Sequence, residues 1–130
     1  MDTLETARTA VKALIGIKGL DVKLIKISDI SSIADYFVIA NGTSNTHVKA
    51  LADEVEFRLD NAGVSVSHIE GYRSDSWILL DYVDVVVHVF SEEAREYYNL
   101  ERLWQDGTQE DISDIEEMPL NLLFPSQDKK

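Results

Sequence analysis

The feature that most constrains this chain is a change of period at residues 42–44. Before it, residues 35–41 (DYFVIAN) have the apolar, β-rich character of a strand. After it, Val48, Leu51, Ala52, Val55, Leu59 and Ala62 recur three and four residues apart, which places them on one face of a helix. Gly42-Thr43-Ser44 opens that helix and Asn61-Ala62-Gly63 closes it, with capping residues at the start and a glycine able to take a left-handed conformation at the end. A helix with one long apolar face is stable only when that face is laid against another element.

The remaining elements fall into place around this unit. Residues 3–18 carry Leu4, Ala7, Val11, Leu14 and Ile15 at helical spacing, with Gly19 as the stop. Residues 21–27 alternate Val22 and Leu24 with Lys23 and predict a strand, followed by a serine-rich loop over 28–32. Three more strands are expected at 66–70, 77–82 and 84–90, separated by a polar loop over 71–76 and a tight turn. Ser91-Glu92-Glu93 then starts a third helix running towards Trp104, its acidic residues set where the helix dipole favours them. The order helix, strand, strand, helix, three strands, helix predicts an α/β domain over residues 1–104, a mixed five-stranded sheet flanked by helices. Residues 105–130 differ in composition, with seven acidic residues against two lysines and both prolines. They read as an acidic tail, either disordered or docked through Leu120, Leu122, Leu123 and Phe124.

Composition removes several classes of function. The chain has no cysteine, so disulfides, thiolate metal sites and cysteine nucleophiles are excluded. No apolar run approaches the roughly 20 residues of a membrane span, and Met1 to Ala10 lack a signal-peptide core, so the expected location is the cytoplasm. A formal net charge of −12 repels phosphate backbones, and direct sequence-specific nucleic-acid binding is not expected. The same charge attracts a basic protein surface.

The last hairpin carries the clearest candidate surface. With Tyr82 and Val83 as a two-residue turn, Asp81 pairs with Asp84, Leu79 with Val86, and Trp77 with His88. One face is then wholly apolar: Ile78, Leu80, Val85, Val87 and Val89. The other mixes Trp77, Leu79, Val86 and Phe90 with Asp81, Asp84 and His88. Ionised groups resist burial without partners, so this second face suits a partner surface anchored by Trp77. The competing reading is that the third helix covers it and Trp77 is core. In that helix Tyr97, Tyr98, Leu100, Leu103 and Trp104 give more apolar surface than one stripe requires.

A catalytic reading has less to stand on. A helix entered through Gly42-Thr43-Ser44 can bind phosphate with its free N–H groups, as nucleotidyltransferases do. That chemistry also needs paired carboxylates one residue apart on a neighbouring strand to hold Mg²⁺, and none follows a strand here. Asp81 and Asp84 are the nearest substitute. His47, His68 and His88 show no metal-ligand spacing, and there is no P-loop, no G-x-G-x-x-G and no G-x-S-x-G motif. No cofactor and no metal are expected.

The run DYFVIANGTS at 35–44, His47-Val48, Ala52-Asp53, Glu70-Gly71, Trp77, Asp81-Tyr82, DVVVHVF at 84–90, Arg95 to Tyr98, Leu100-Glu101 and Leu103-Trp104 together resemble the Iojap or ribosomal silencing factor family. The resemblance spans residues 3–104, and its motifs occur in order. It implies a nucleotidyltransferase-like fold without the catalytic carboxylates, a protein that is not an enzyme, and a homodimer in the free state. It further implies binding to the large ribosomal subunit through its ribosomal protein numbered fourteen. Small-subunit joining would thereby be blocked and translation repressed when nutrients are limiting. The partner-binding residues it implies are Trp77, Tyr82, Asp84, Val86 and His88 of the hairpin, with Arg95 and Tyr98 of the adjoining helix. One departure stands out: relatives often carry glycine at position 83, where this chain has Val83, so a wider turn than two residues is an open alternative.

Overall fold

A computed structural model of the chain describes residues 1–74 and 76–115. The elements run α1 (Thr3–Gly16), β1 (Leu20–Lys26), β2 (Tyr36–Gly42), α2 (Asn45–Asn61), β3 (His68–Glu70), β4 (Trp77–Asp81), β5 (Val85–Ser91), α3 (Glu92–Tyr98), α4 (Leu100–Leu103) and β6 (Thr108–Gln109). The strands form a sheet in the order β3-β4-β5-β2-β1-β6, with β2 and β5 parallel and every other pair antiparallel. The mixed α/β architecture is as the sequence predicts, with six strands in place of five.

The extra strand lies in the segment set apart as a tail. Thr108 and Gln109 pair with Lys26 and Ile25, and the Glu110 N–H donates to Leu24 O at 2.8 Å. Ile112 and Ile115 then pack on the core, and Arg8 of α1 forms an ion pair with Asp114. The apolar stretch at Leu120, Leu122, Leu123 and Phe124 lies outside the described residues.

Two layers cover the sheet. On one face α1 and α2 close over Leu24, Val38, Ala40, Ile78, Leu80, Val85, Val87 and Val89. Both helices start on caps: Asp2 and Glu5 form a capping box on α1, and Ser44 accepts from the His47 N–H on α2. Gly42 is needed where β2 hands over to α2, because a Cβ there would sit 2.9 Å from the Val48 nitrogen. The other face holds a smaller cluster, with Ile25, Ile27, Phe37, Ile39, Val86 and Phe90 under Ala94 and Leu100.

The third helix is broken. Asn99 takes a left-handed conformation (φ 47°), a geometry that asparagine tolerates, so α3 ends and α4 sets off in a new direction. Leu100 is thereby buried, and Trp104 meets Phe37 edge-to-face at 5.2 Å.

The hairpin register also differs from the two-residue turn. Asp81 pairs with Val86, Leu79 with His88 and Trp77 with Phe90, leaving residues 82–84 between the strands. Tyr82 N–H donates to Val85 O at 2.8 Å, Val83 N–H donates to Asp81 Oδ1 at 2.7 Å, and Val83 itself sits at φ 72°. Asp81 and Asp84 are therefore not cross-strand partners. Because the slip is two residues, each side chain keeps the face that alternation gives it.

Candidate functional site

The face of the sheet opposite α1 and α2 is built around an aromatic cluster. Trp77 at the start of β4 lies 5.1 Å from Phe90 and 4.7 Å from Tyr98 between ring centroids, and Tyr98 meets Tyr97 edge-to-face at 5.1 Å. Trp77 is half-buried, Tyr98 is 44% exposed and Tyr97 is 82% exposed. α3 thus covers this face only in part, and neither reading of Trp77, open surface or closed core, holds outright. A cleft of 300 Å³ opens beside the pair, lined by Glu70, Gly71, Ser74, Ser76, Trp77, Leu79 and Tyr98.

The loop before β4 is shaped to present the indole. Ser74 Oγ accepts from the N–H groups of Ser76 and Trp77, each at 3.3 Å, and donates to Trp77 O at 3.3 Å. Gly71 stands at φ 74°, and a Cβ there would come within 2.1 Å of Trp77 O, so only glycine fits. The dipeptide Glu70-Gly71 has a steric reason as well as a place in the motif.

The seven residues singled out from the sequence do not form one patch. Trp77 and Tyr98 touch. His88 lies beneath Trp77 on β5, and Val86 is two residues further along the same face in register with Asp81, 4% and 7% exposed. The His88 Nδ1 accepts from Trp77 Nε1–H at 3.2 Å, while its Nε2 has no hydrogen-bond partner among the described residues. Burial lowers the His88 pKa from its usual 6.5 to about 4. Asp84 is exposed but sits at the opposite end of β5 from Trp77's partner Phe90, about 20 Å away along the strand. Tyr82 is on the other side of the sheet, buried in the α1/α2 core, its phenol pKa raised by burial and then by the nearby Glu56 and Asp60 charges.

Arg95 is likewise interior, at 7% exposed. Its Nη1 donates to Asn41 Oδ1 at 3.0 Å and Leu20 O at 3.3 Å, and Nη2 donates to Glu101 Oε2 at 3.0 Å. It fastens α3 to β1, β2 and α4. As the face stands, Tyr82, Val86, His88 and Arg95 have little surface to offer a partner, because each is packed or hydrogen-bonded inside the fold. Sequence reasoning did not pick out Phe37 and Phe90 as supports of the imidazole, or Ser74 and Gly71 as the residues that set the indole. Glu70-Gly71 was visible as a motif, but its contact with Trp77 was not.

The glycine turn before α2 is occupied by the chain's own groups. Thr43 N–H donates to His47 Nδ1 at 2.9 Å, His47 N–H to Ser44 Oγ at 3.1 Å, and Val48 N–H to Ser44 O at 2.9 Å. His47 Nε2 in turn donates to Ile17 O at 2.8 Å, tying the turn to the end of α1. Three N–H groups of the kind a phosphate would need are thus already used. Among the described residues, no group of three His, Asp or Glu is placed to hold a metal ion, and no helix is long and apolar enough to cross a membrane.

Fold and face together define an α/β domain with a half-open aromatic face on a strongly acidic chain. Residues 1–128 match the family described as ribosomal silencing factor during starvation. A ribosomal silencing factor of Chromobacterium violaceum is 41% identical over 104 residues, covering 80% of this chain and 85% of that protein. A mouse protein named for mitochondrial assembly of the ribosomal large subunit is 33% identical over 87 residues, 65% of this chain and 38% of its own length. A crystal structure of a Chromobacterium violaceum protein superposes with a TM-score of 0.79 at 39% identity, covering 87% of this chain and 93% of that one. The chain belongs to the ribosomal silencing factor family.

Proposed function

We propose that this protein docks on the large ribosomal subunit, against its ribosomal protein numbered fourteen, and by its bulk keeps the small subunit from joining. Translation is thereby repressed when nutrients are scarce. The observation that carries the reading is the half-buried Trp77 packed at a tilt against the exposed Tyr98 beside an open cleft. Paired aromatics with one side packed and one side free are the usual anchors of protein interfaces. The net charge of −12 favours a basic partner, and ribosomal proteins supply such surfaces. The family name, and the large-subunit assembly named in the mouse relative, point the same way.

In this reading Trp77 and Tyr98 touch the partner, and Asp84 contributes at the far end of the strand. His88 supports the anchor from below, Val86 packs in the cluster under α3 and α4, Arg95 holds α3 in place, and Tyr82 belongs to the core under α1 and α2. The protein works in the cytoplasm, as a homodimer when free, without cofactor or catalysis.

The test is sedimentation with separated large subunits, small subunits and both together. Wild-type protein should travel with large subunits and reduce the yield of joined particles. Trp77→Ala should weaken binding by about 2 kcal/mol, roughly thirtyfold, as an interface anchor does. A folded Trp77→Ala protein that binds large subunits as tightly as wild type would remove the anchor.

A further inference from the structure

An indole N–H that is half inside a protein needs an acceptor, and the acceptor chosen fixes the ring's rotation. Trp77 uses the Nδ1 of His88, two residues along β5 from its pairing partner Phe90, at 3.2 Å. That bond settles the imidazole's tautomer: Nδ1 carries the lone pair and Nε2 the hydrogen. The ring is gripped on its other sides by Phe37 of β2, 4.7 Å away and edge-to-face, and by Phe90 of β5, 6.2 Å away and stacked. At 4% exposed, His88 has almost no surface of its own for a partner.

We propose that His88 is a positioning residue for docking: its neutral Nδ1 holds the Trp77 indole in the orientation in which the ring, together with Tyr98, meets the partner. Its effect on binding passes through the indole N–H and not through contact. Three observations converge. His88 Nδ1 is the acceptor that the indole N–H reaches among the described residues. The imidazole packs against two rings, Phe37 edge-to-face and Phe90 stacked. Burial is the sole cause of its lowered pKa, with no charged group contributing, so the neutral form that can accept from the indole is the form present at neutral pH.

The inference rests on the docking reading above, and the experiment separates the two. Binding to purified large ribosomal subunits is measured for Trp77→Ala, Trp77→Phe, His88→Leu, His88→Asn and the Trp77→Phe/His88→Leu double variant, with thermal melting to confirm folding. Leucine removes the acceptor; asparagine keeps a carbonyl oxygen close to where Nδ1 stands. His88→Leu should weaken binding about tenfold, the ordinary scale for losing one buried hydrogen bond, and His88→Asn should recover most of that. In the Trp77→Phe background, which has no N–H to hold, His88→Leu should add nothing.

A spectroscopic arm reads the indole directly. Trp77→Phe identifies the Trp77 indole N–H signal in nitrogen-edited NMR spectra, and in wild type that signal should shift as His88 takes up a proton near pH 4. A His88→Leu protein that folds and binds like wild type, while Trp77→Ala loses binding, overturns the positioning role and leaves the docking face standing. If His88→Leu costs as much binding in the Trp77→Phe background as in wild type, the role is overturned too, because His88 would then act on the core at large. If His88→Leu fails to fold, an indole signal that stays still through the His88 titration overturns the role in its place. Undiminished binding by Trp77→Ala removes the anchor and this inference with it, whereas wild-type protein that does not bind large subunits removes the docking reading itself.

Discussion

The two faces of the sheet follow different rules. Under α1 and α2 the hairpin presents Ile78, Leu80, Val85, Val87 and Val89, each at most 1% exposed and each aliphatic. Under α3 and α4 the same two strands present Trp77, Leu79, Val86, His88 and Phe90, with a cleft at one edge and an imidazole nitrogen lacking a partner among the described residues. The first face is packed by shape alone, without directional bonds, which maximises burial and tolerates no water. The second uses rings and one side-chain hydrogen bond, which cost packing density but fix orientation. A face that must keep one large residue both held and exposed needs the second kind of construction.

The largest expected effect comes from breaking the closed face. Leu80→Ala should lower unfolding stability by about 3 kcal/mol, since a side chain 1% exposed leaves a cavity that neighbours fill only in part. Urea denaturation at neutral pH reads it. Binding to large subunits by the remaining folded protein should be unaltered. If Leu80→Ala and Trp77→Ala proved alike in both measurements, the division of labour between the faces would be wrong.

The next effect sharpens the comparison through pH. His88 has a folded pKa of about 4, below its ordinary 6.5, so the unfolded chain takes up the proton first as pH falls. The stability it contributes is complete above pH 6.5 and is lost as pH drops towards 4. Between about pH 7 and pH 4.5 the loss should reach roughly 2 kcal/mol. His88→Asn has no such group, and its stability profile should be flatter than wild type by that amount. Parallel profiles would mean that the imidazole is as well solvated folded as unfolded, and the open face would be open to its base.

How much of this was legible beforehand follows from what a local pattern can encode. The α2 face and the hairpin alternation depend on residues a few positions apart, so Val48 to Leu59 and Ile78 to Val89 declared their faces. The faces even survived an incorrect register, because a two-residue slip leaves parity intact. β6 did not show, since two paired residues carry no period. Nor did the break at Asn99, where a single left-handed residue redirects the helix without disturbing the apolar spacing on either side. The site was half legible. Trp77 and Tyr98 are distinctive by type, but Arg95 is buried by Asn41, 54 positions away, and His88 by Phe37, and no spacing rule reaches that far.

The smallest expected effect concerns the turn joining the two strands that carry both faces. Val83 stands at φ 72° and is 63% exposed, so it bears left-handed strain and has little packing to lose. For a β-branched residue that conformation costs roughly 1–2 kcal/mol, and glycine removes it at an entropic cost of about 0.5–1 kcal/mol. Val83→Gly should therefore raise stability by about 0.5–1 kcal/mol, seen as a small increase in the urea midpoint with an unchanged slope. Binding should not respond, because the anchor Trp77 pairs at the opposite end of β5 and the substitution leaves the Asp84 carboxylate in the sequence. A stabilised variant that bound less well would show that the strained turn, and not the aromatic cluster alone, sets how Asp84 meets the partner.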